Sequence, residues 1–254
     1  MNVLLVPTLA LDLSILDRLA ASVDYPIQHK VIINNGRPYA LDQWQKDHPD
    51  WKVLVQGENR GVSKSWNMAT EIFPGERGWM ISNDDSWFDP GAIEAISKTF
   101  DKSPDETHMV WSNEGWHCFI WTQKAMDRFG LFDENLWPAY HEDEDMSIRF
   151  GLGGCVGIHV PSVEGRNVHH GKPKTGGVNY CSLISGCSLF TRDYMRRKWG
   201  GWPPTFNTPF NMLGAPLSHW VMDWPRRRKI QPIWDCFINH PKVSLYDNNP
   251  GFYE

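Results

Sequence analysis

Along the chain, short apolar runs that stop abruptly in polar residues alternate with segments whose apolar positions recur every three or four residues. Val3-Leu4-Leu5-Val6 ends at Pro7-Thr8, Lys30-Val31-Ile32-Ile33 at Asn34-Asn35-Gly36, and Trp79-Met80-Ile81 at Asn83-Asp84-Asp85; Trp51 to Val55 leads into Glu58-Asn59-Arg60-Gly61. Each run predicts a strand, since branched and aromatic side chains fit a pleated, buried surface whereas Asn, Asp and Gly do not. Leu13, Leu16, Leu19 and Ala20 share one helical face and predict a helix from Asp12 to Val23, and a second is predicted from Val62 to Ile72. Elements in this order with short connections predict a parallel α/β sheet whose polar strand ends gather on one edge, the edge where open α/β sheets bind ligands.

Asp89-Pro90 predicts a helix start with Asp89 as cap, followed by strands at His108 to Trp111 and Cys118 to Trp121. Thr122 predicts the cap of a helix that Gly130 ends. An aromatic loop, Trp137 to Tyr140, then enters the acidic stretch His141-Glu142-Asp143-Glu144-Asp145 and a helix reaching Phe150, within which Asp145 and Arg149, four apart, are expected to pair. Beyond Gly151, Gly, Pro, His and basic residues thicken; Val156 to Val160 predicts one more strand, and Arg166 to Lys174 a polar loop. Residues 1–170 therefore read as one α/β domain and 171–254 as a less regular region packed on it.

Composition narrows the setting. The 254 residues suffice for a substantial core, and a formal charge of −5 with a pI near 6 gives no global basic field. Cys118, Cys155, Cys181, Cys187 and Cys236 include no C-x-x-C pair, which favours reduced thiols over a disulfide frame or a zinc site. The first residues show no signal-peptide pattern and no later stretch approaches a membrane span, so the expectation is a soluble, cytoplasmic chain with no integral membrane segment.

Two acidic clusters carry the candidate chemistry. Asn83-Asp84-Asp85 puts two adjacent carboxylates at a strand end; it is good turn chemistry, and it also suits a hard cation such as Mg²⁺ or Mn²⁺, with Asp85 as the first choice of ligand. Four carboxylates at 142–145 exceed what a helix dipole requires, since each gains only about 0.3–1 kcal/mol there while neighbours raise one another's pKa. A raised pKa suits a general base. The 14 Trp residues add stacking surface for sugars or bases, with Trp116, Trp137, Trp199 and Trp202 as acceptor-side candidates.

These pieces, in order, resemble family-2 glycosyltransferases of the GT-A fold, particularly a rhamnosyltransferase-like branch. The resemblance rests on Val6-Pro7-Thr8, Ile33-Asn34-Asn35-Gly36, Asn59-x-Gly61 with Asn67, Asn83-Asp84-Asp85, Gly130-x-Phe132-Asp133-Glu134, Glu142-Asp143-x-Asp145-x-x-x-Arg149 and His169-His170. It departs where Asn34 replaces a usual Asp and Ala69 a common Gly. The resemblance implies a Rossmann-like, mostly parallel sheet flanked by helices and a UDP-, dTDP- or GDP-sugar donor bound by Pro7, Thr8, Asn34, Asn35, Asn59, Arg60, Gly61, Asn67, Asn83 and Asp84. It further implies Mn²⁺ or Mg²⁺ held by Asp85 with His169 or His170, and inverting transfer to a saccharide or glycoconjugate with Asp143 as base beside Glu142.

Two basic-aromatic runs follow, Tyr194 to Pro204 and Trp224 to Lys229. Three roles fit them: a clamp on an anionic or nucleic-acid acceptor, a contact with a membrane surface, or a solvated basic face. The first admits an alternative acceptor, a hydroxymethylated base in phage-type DNA. A second alternative is a non-catalytic carbohydrate-binding protein, which has no need of Asp85 and Asp143 together. A nucleotidyltransferase is disfavoured because the loop Pro7 to Asp12 is not Gly-rich.

Overall fold

In the computed structural model, residues 1–171 are described together with Thr191, Arg192, Tyr194, Met195, Lys198 and Trp199. The elements run β1 (Val3–Thr8), α1 (Leu13–Ser22), β2 (His29–Asn34), α2 (Asp42–Asp47), β3 (Trp51–Val55), α3 (Val62–Ile72), β4 (Gly78–Ser82) and β5 (Ser86–Phe88). They continue with α4 (Ala92–Asp101), β6 (Met109–Ser112), β7 (Gly115–Thr122), α5 (Gln123–Phe129), α6 (Glu142–Gly153), β8 (Gly157–His159) and β9 (Val168–His170). Seven strands form one sheet in the order β3-β2-β1-β4-β7-β6-β8, parallel except for β7, which runs against both neighbours.

Strand periodicity divides the core between the two faces of this sheet. Leu4 and Val6 of β1 join Ile32, Met80 and Ile120 against Leu16 and Leu19 of α1 and Ile93 and Ile96 of α4. Val3 and Leu5 join Val31, Ile33, Ile81 and Phe119 against Trp66 of α3, Phe129 of α5 and Met146 and Phe150 of α6. Successive side chains point to opposite faces, so a run such as Val3 to Val6 feeds both cores; each fully buried aliphatic or aromatic side chain contributes about 1.5–3 kcal/mol. The expected cap holds at Thr122, whose hydroxyl accepts from the Ala125 amide, and Gly130 ends α5 at a φ of 77°; α1 is capped by Asp12, whose carboxylate accepts from the Ser14 amide.

Three expectations change. Asp89 does not cap α4, which starts after Gly91 in the left-handed region; its carboxylate instead accepts from the Asn167 amide at 3.0 Å and pairs with His169 at 2.9 Å. The stretch read as a loop from Arg166 to Lys174 contains β9, paired antiparallel with β5 in the register Ser86 to His170, Trp87 to His169 and Phe88 to Val168. The α2 turn of helix between β2 and β3 was not predicted. This small second sheet folds the chain after the main sheet's acidic strand end back beside it, which brings His170 within reach of the β4 terminus.

Candidate active site

A cleft of about 420 Å³ opens at the carboxyl ends of β1 and β4, lined by Pro7, Thr8, Asn83, Asp84 and Asp85 from those strand ends and by Glu142 and Asp143 from the start of α6. β7 reaches the same edge at its beginning because it is antiparallel, and it delivers Trp116 and His117 to the floor. The far rim is the loop from Pro138 to Tyr140. Gly61 makes that approach possible: at a φ of 84°, a Cβ there would lie 2.8 Å from the Trp137 ring and 3.0 Å from the Pro138 carbonyl oxygen. Two hydrogen bonds fix the contact, from the Val62 amide to the Pro138 oxygen (2.9 Å) and from the Trp137 indole to the Asn59 oxygen (3.0 Å).

The strand-end wall is organised by short polar contacts. Thr8 donates its hydroxyl to Asp84 at 2.6 Å and accepts from the Ala10 amide at 2.9 Å. Burial raises the Asp84 carboxyl to about 6, opposed by the Thr8 hydrogen bond and helped by the Asp85 charge. Burial also raises Asp85, while His170 and Arg18 pull it back toward the ionised form. The Asp85 carbonyl oxygen accepts from the Gly171 amide at 2.9 Å, and Arg18 stacks on the Trp87 ring at 3.8 Å. His170 stacks on His117 at 3.8 Å between ring centres and bonds Glu114 through Nδ1 at 2.7 Å; His117 Nδ1 lies 3.1 Å from the Asn83 amide nitrogen. Burial, then the neighbouring His170, lowers the His117 pKa and keeps that ring neutral near pH 7.

The opposite wall is the start of α6. Tyr140 and His141 both have positive φ, 79° and 68°, an uncommon backbone for residues with a Cβ, so the chain turns sharply to aim the first helical residues at the cleft. Glu142 is buried, and its Oε2 has no hydrogen-bond partner. Burial first, then the Asp143 charge, pushes the Glu142 carboxyl up to about 8. Asp143 is raised by burial too, against the hydrogen bond that its Oδ1 accepts from the Glu144 amide at 2.9 Å.

Not every residue expected at the site faces it. Asn34 is buried and turned on its own loop, accepting from the Gly36 amide and donating to the Arg37 oxygen. Asn67 clasps the segment after α5, exchanging hydrogen bonds with the Phe132 backbone and donating to Glu134. Arg60 is exposed and lies 3.6 Å from Glu58, away from the cleft lining. Asn35 and Asn59 do line the cleft; Asn35 donates to Ser65, and Asn59 accepts from the Gly61 amide while its Nδ2 is buried without a partner. His169 points to the other side of β9, stacked on Trp87 and paired with Asp89, so only His170 of the pair lines the cleft.

Among the tryptophans, Trp116 lines the cleft, Trp137 is a buried brace, and Trp199 is fully buried with its indole donating to Asp145 at 2.9 Å. Trp202 and the 224–229 run lie outside the described residues. Lys198, from the first basic-aromatic run, is buried between Asp133 and Asp145, which removes it from any clamp, membrane contact or solvated face. His117, Trp66 and Tyr140 line the cleft without having been singled out. For His117 the signal was present: it precedes a predicted strand, at the edge where that strand's neighbour ends in Asp84-Asp85.

No group of three His, Cys, Asp or Glu side chains among the described residues stands in metal-holding geometry. Asp84, Asp85 and the His170 imidazole nevertheless line the same cleft, beside an Arg18 side chain that stacks on Trp87 and reaches the Asp85 carbonyl oxygen at 3.4 Å, and carboxylates with an imidazole are donors that suit a divalent cation. No helix among the described residues is long and apolar enough to cross a membrane.

Known proteins share this architecture. The crystal structure of GalNAc-T7 with UDP, GalNAc and Mn²⁺ superposes with a TM-score of 0.57 at 12% identity, covering 100% of this chain and 58% of that one. TarS 1-349 from S. aureus gives 0.52 at 12% identity over 73% of this chain and 64% of that one. These likenesses show the GT-A fold. A galactofuranosyl glycosyltransferase from Leishmania donovani is 28% identical over 151 residues, 50% of this chain and 34% of the relative, so the chain spans about a third of the length of that protein. The model of glycosyl transferase family 2 matches residues 13–156, more than half of the sequence, and the chain belongs to that family.

Proposed function

We propose that the chain transfers a sugar from a nucleoside-diphosphate donor to an acceptor hydroxyl, with inversion, using a divalent cation. The observation that carries this reading is that two acidic pairs from distant elements, Asp84 with Asp85 and Glu142 with Asp143, line one cleft. Asp85 and His170 would hold Mn²⁺ or Mg²⁺, which when bound supplies positive charge for the diphosphate leaving group. Thr8 and Asp84 support the donor side by fixing the β1 end, and Asn35 and Asn59 present amide groups to the nucleotide. Asp143 accepts the proton of the acceptor hydroxyl as that oxygen attacks the anomeric carbon and the bond to the diphosphate breaks. Glu142, protonated at neutral pH, keeps a second full charge away from the base and offers its proton to an acceptor or sugar oxygen.

UDP-, dTDP- and GDP-sugars are the donors to test, and a saccharide or glycoconjugate is the acceptor class. That GalNAc-T7 was crystallised with UDP and Mn²⁺ supports the choice of UDP and Mn²⁺ as first conditions. The test is release of free nucleoside diphosphate from a panel of those donors with Mn²⁺, with Mg²⁺ and with chelator, for the wild-type chain and Asp85→Ala. Turnover of one donor, lost with chelator and in the variant, is expected. Donor binding without turnover under every cation and acceptor tried would replace this reading by a carbohydrate-binding protein on the same fold.

A further inference from the structure

The first turn of α6 is held from behind by residues far away in sequence. Asp145, two positions after Asp143, is fully buried. Its carboxylate meets Arg149 at 2.9 Å, Lys198 at 2.6 Å and the Trp199 indole at 2.9 Å. Lys198 also meets Asp133 at 2.7 Å, and Asp133 accepts from the Tyr194 hydroxyl at 2.8 Å. Arg149 donates to the Phe129 and Leu131 carbonyl oxygens, tying α6 to the end of α5. Two carboxylates and two cations thus balance inside the protein. Burial alone would raise Asp145, but the charges of Lys198 and Arg149 keep it ionised.

Such a cluster does more than neutralise itself. Arg149 lies on α6, so its pair with Asp145 is internal to the helix, and its bonds to Phe129 and Leu131 hold the helix beyond its first turn. Lys198 and Trp199 come from outside, and both converge on Oδ1 of Asp145. We infer that Lys198 and Trp199 are positioning residues that fix the start of α6, and with it the placement of Glu142 and Asp143 in the cleft. Their importance for turnover rests on the proposed function; their anchoring of α6 does not. Neither residue lines the cleft; they hold α6 through Asp145, and Trp199 also through the apolar cluster that Ile148 of α6 joins.

The test separates anchoring from stability. K198M leaves the buried cluster with an excess negative charge and is expected to fold poorly. D133N/K198M removes one charge of each sign and restores neutrality, and W199F removes only the indole hydrogen bond. For D133N/K198M we expect a melting temperature near wild type, kcat lower by about tenfold to a hundredfold as for small misplacements of a catalytic group, and an unchanged donor KM. Hydrogen exchange of the peptide 139–147 should accelerate by about tenfold or more while the β1 and β4 peptides keep their protection. W199F should show the same pattern, weaker. If exchange at 139–147 stays at the wild-type rate in D133N/K198M, the anchoring is overturned. If exchange rises but kcat recovers together with the melting temperature, the cluster serves stability alone and the positioning role is overturned. A wild-type chain that turns over none of the UDP-, dTDP- and GDP-sugars would instead defeat the proposed function, and the exchange measurement would still decide the anchoring.

Discussion

Asp84 and Asp85 stand at a strand end with a hydroxyl, a guanidinium and an imidazole nearby, whereas Glu142 is set among other carboxylates in a buried helix start. Both pairs are raised by burial; side chains of Thr8, His170 and Arg18 offset it at the strand end, whereas at Glu142 backbone amides are the only offset and the neighbouring carboxylates add to the rise. Charge that is compensated can stay negative and wait for a cation; charge that is left uncompensated prefers to take up a proton. Under the proposed function, the same side-chain chemistry divides into a cation wall at the strand end and a proton wall at the helix start, according to what packs around each pair.

Exchanging single groups tests that division. The largest effect is expected for Asp143→Asn, which should lower kcat by about 10²–10⁴ while donor affinity and cation dependence persist. A parallel loss of donor binding would merge the two walls into one. Asp85→Asn should act in the other sense, reducing kcat/KM by about 10²–10³ and raising the Mn²⁺ concentration needed for half-maximal turnover. An unaltered cation requirement in that variant would move the cation elsewhere.

The proton wall also has a signature in stability. Glu142 is raised from 4.5 to about 8, so between those values the folded chain holds a proton that the unfolded chain has released. Stability should therefore fall as pH rises through this window. Glu142→Gln removes the dependence, with a gain on the order of 1–2 kcal/mol at pH 8 and no gain near pH 4, read by denaturant titration at both. The smallest effect concerns the adjacent histidines. His170→Ala should weaken Mn²⁺ affinity about tenfold by calorimetry, and His169→Ala should leave it unchanged while costing at most about 1 kcal/mol through its half-exposed pair with Asp89.

Local patterning reached the main sheet, because each of its inner strands is a short apolar run with a polar stop. It reached Asp84 and Asp85 for the same reason, found Glu142 and Asp143 as a run of charge beyond what a helix start requires, and paired Asp145 with Arg149 from helical spacing, which the 2.9 Å contact matches. It missed what only pairing decides. His169 and His170 are indistinguishable in sequence, and they separate because β9 alternates its side chains against β5. Asn67 and Asn34 carry the polarity of binding residues, yet they spend it on backbone groups of nearby loops. Within the basic-aromatic run from Tyr194 to Pro204, read as a clamp, a membrane contact or a solvated face, Lys198 is interior because Asp133 and Asp145 supply the opposite charge from more than fifty residues upstream.

That burial has a consequence for how the molecule is made. A nascent chain that has emerged only as far as residue 190 already contains every cleft residue named here, but it holds Asp133 and Asp145 with Arg149 as the nearest internal counter-charge and no lysine between them. Parts of a chain fold as they leave the ribosome, amino-terminal portions first. The sheet that carries Asp84 and Asp85 can therefore assemble early, while the corner bearing Glu142 and Asp143 gains the Lys198 and Trp199 contacts only when those residues arrive, so that the two walls of the cleft come of age at different moments of synthesis.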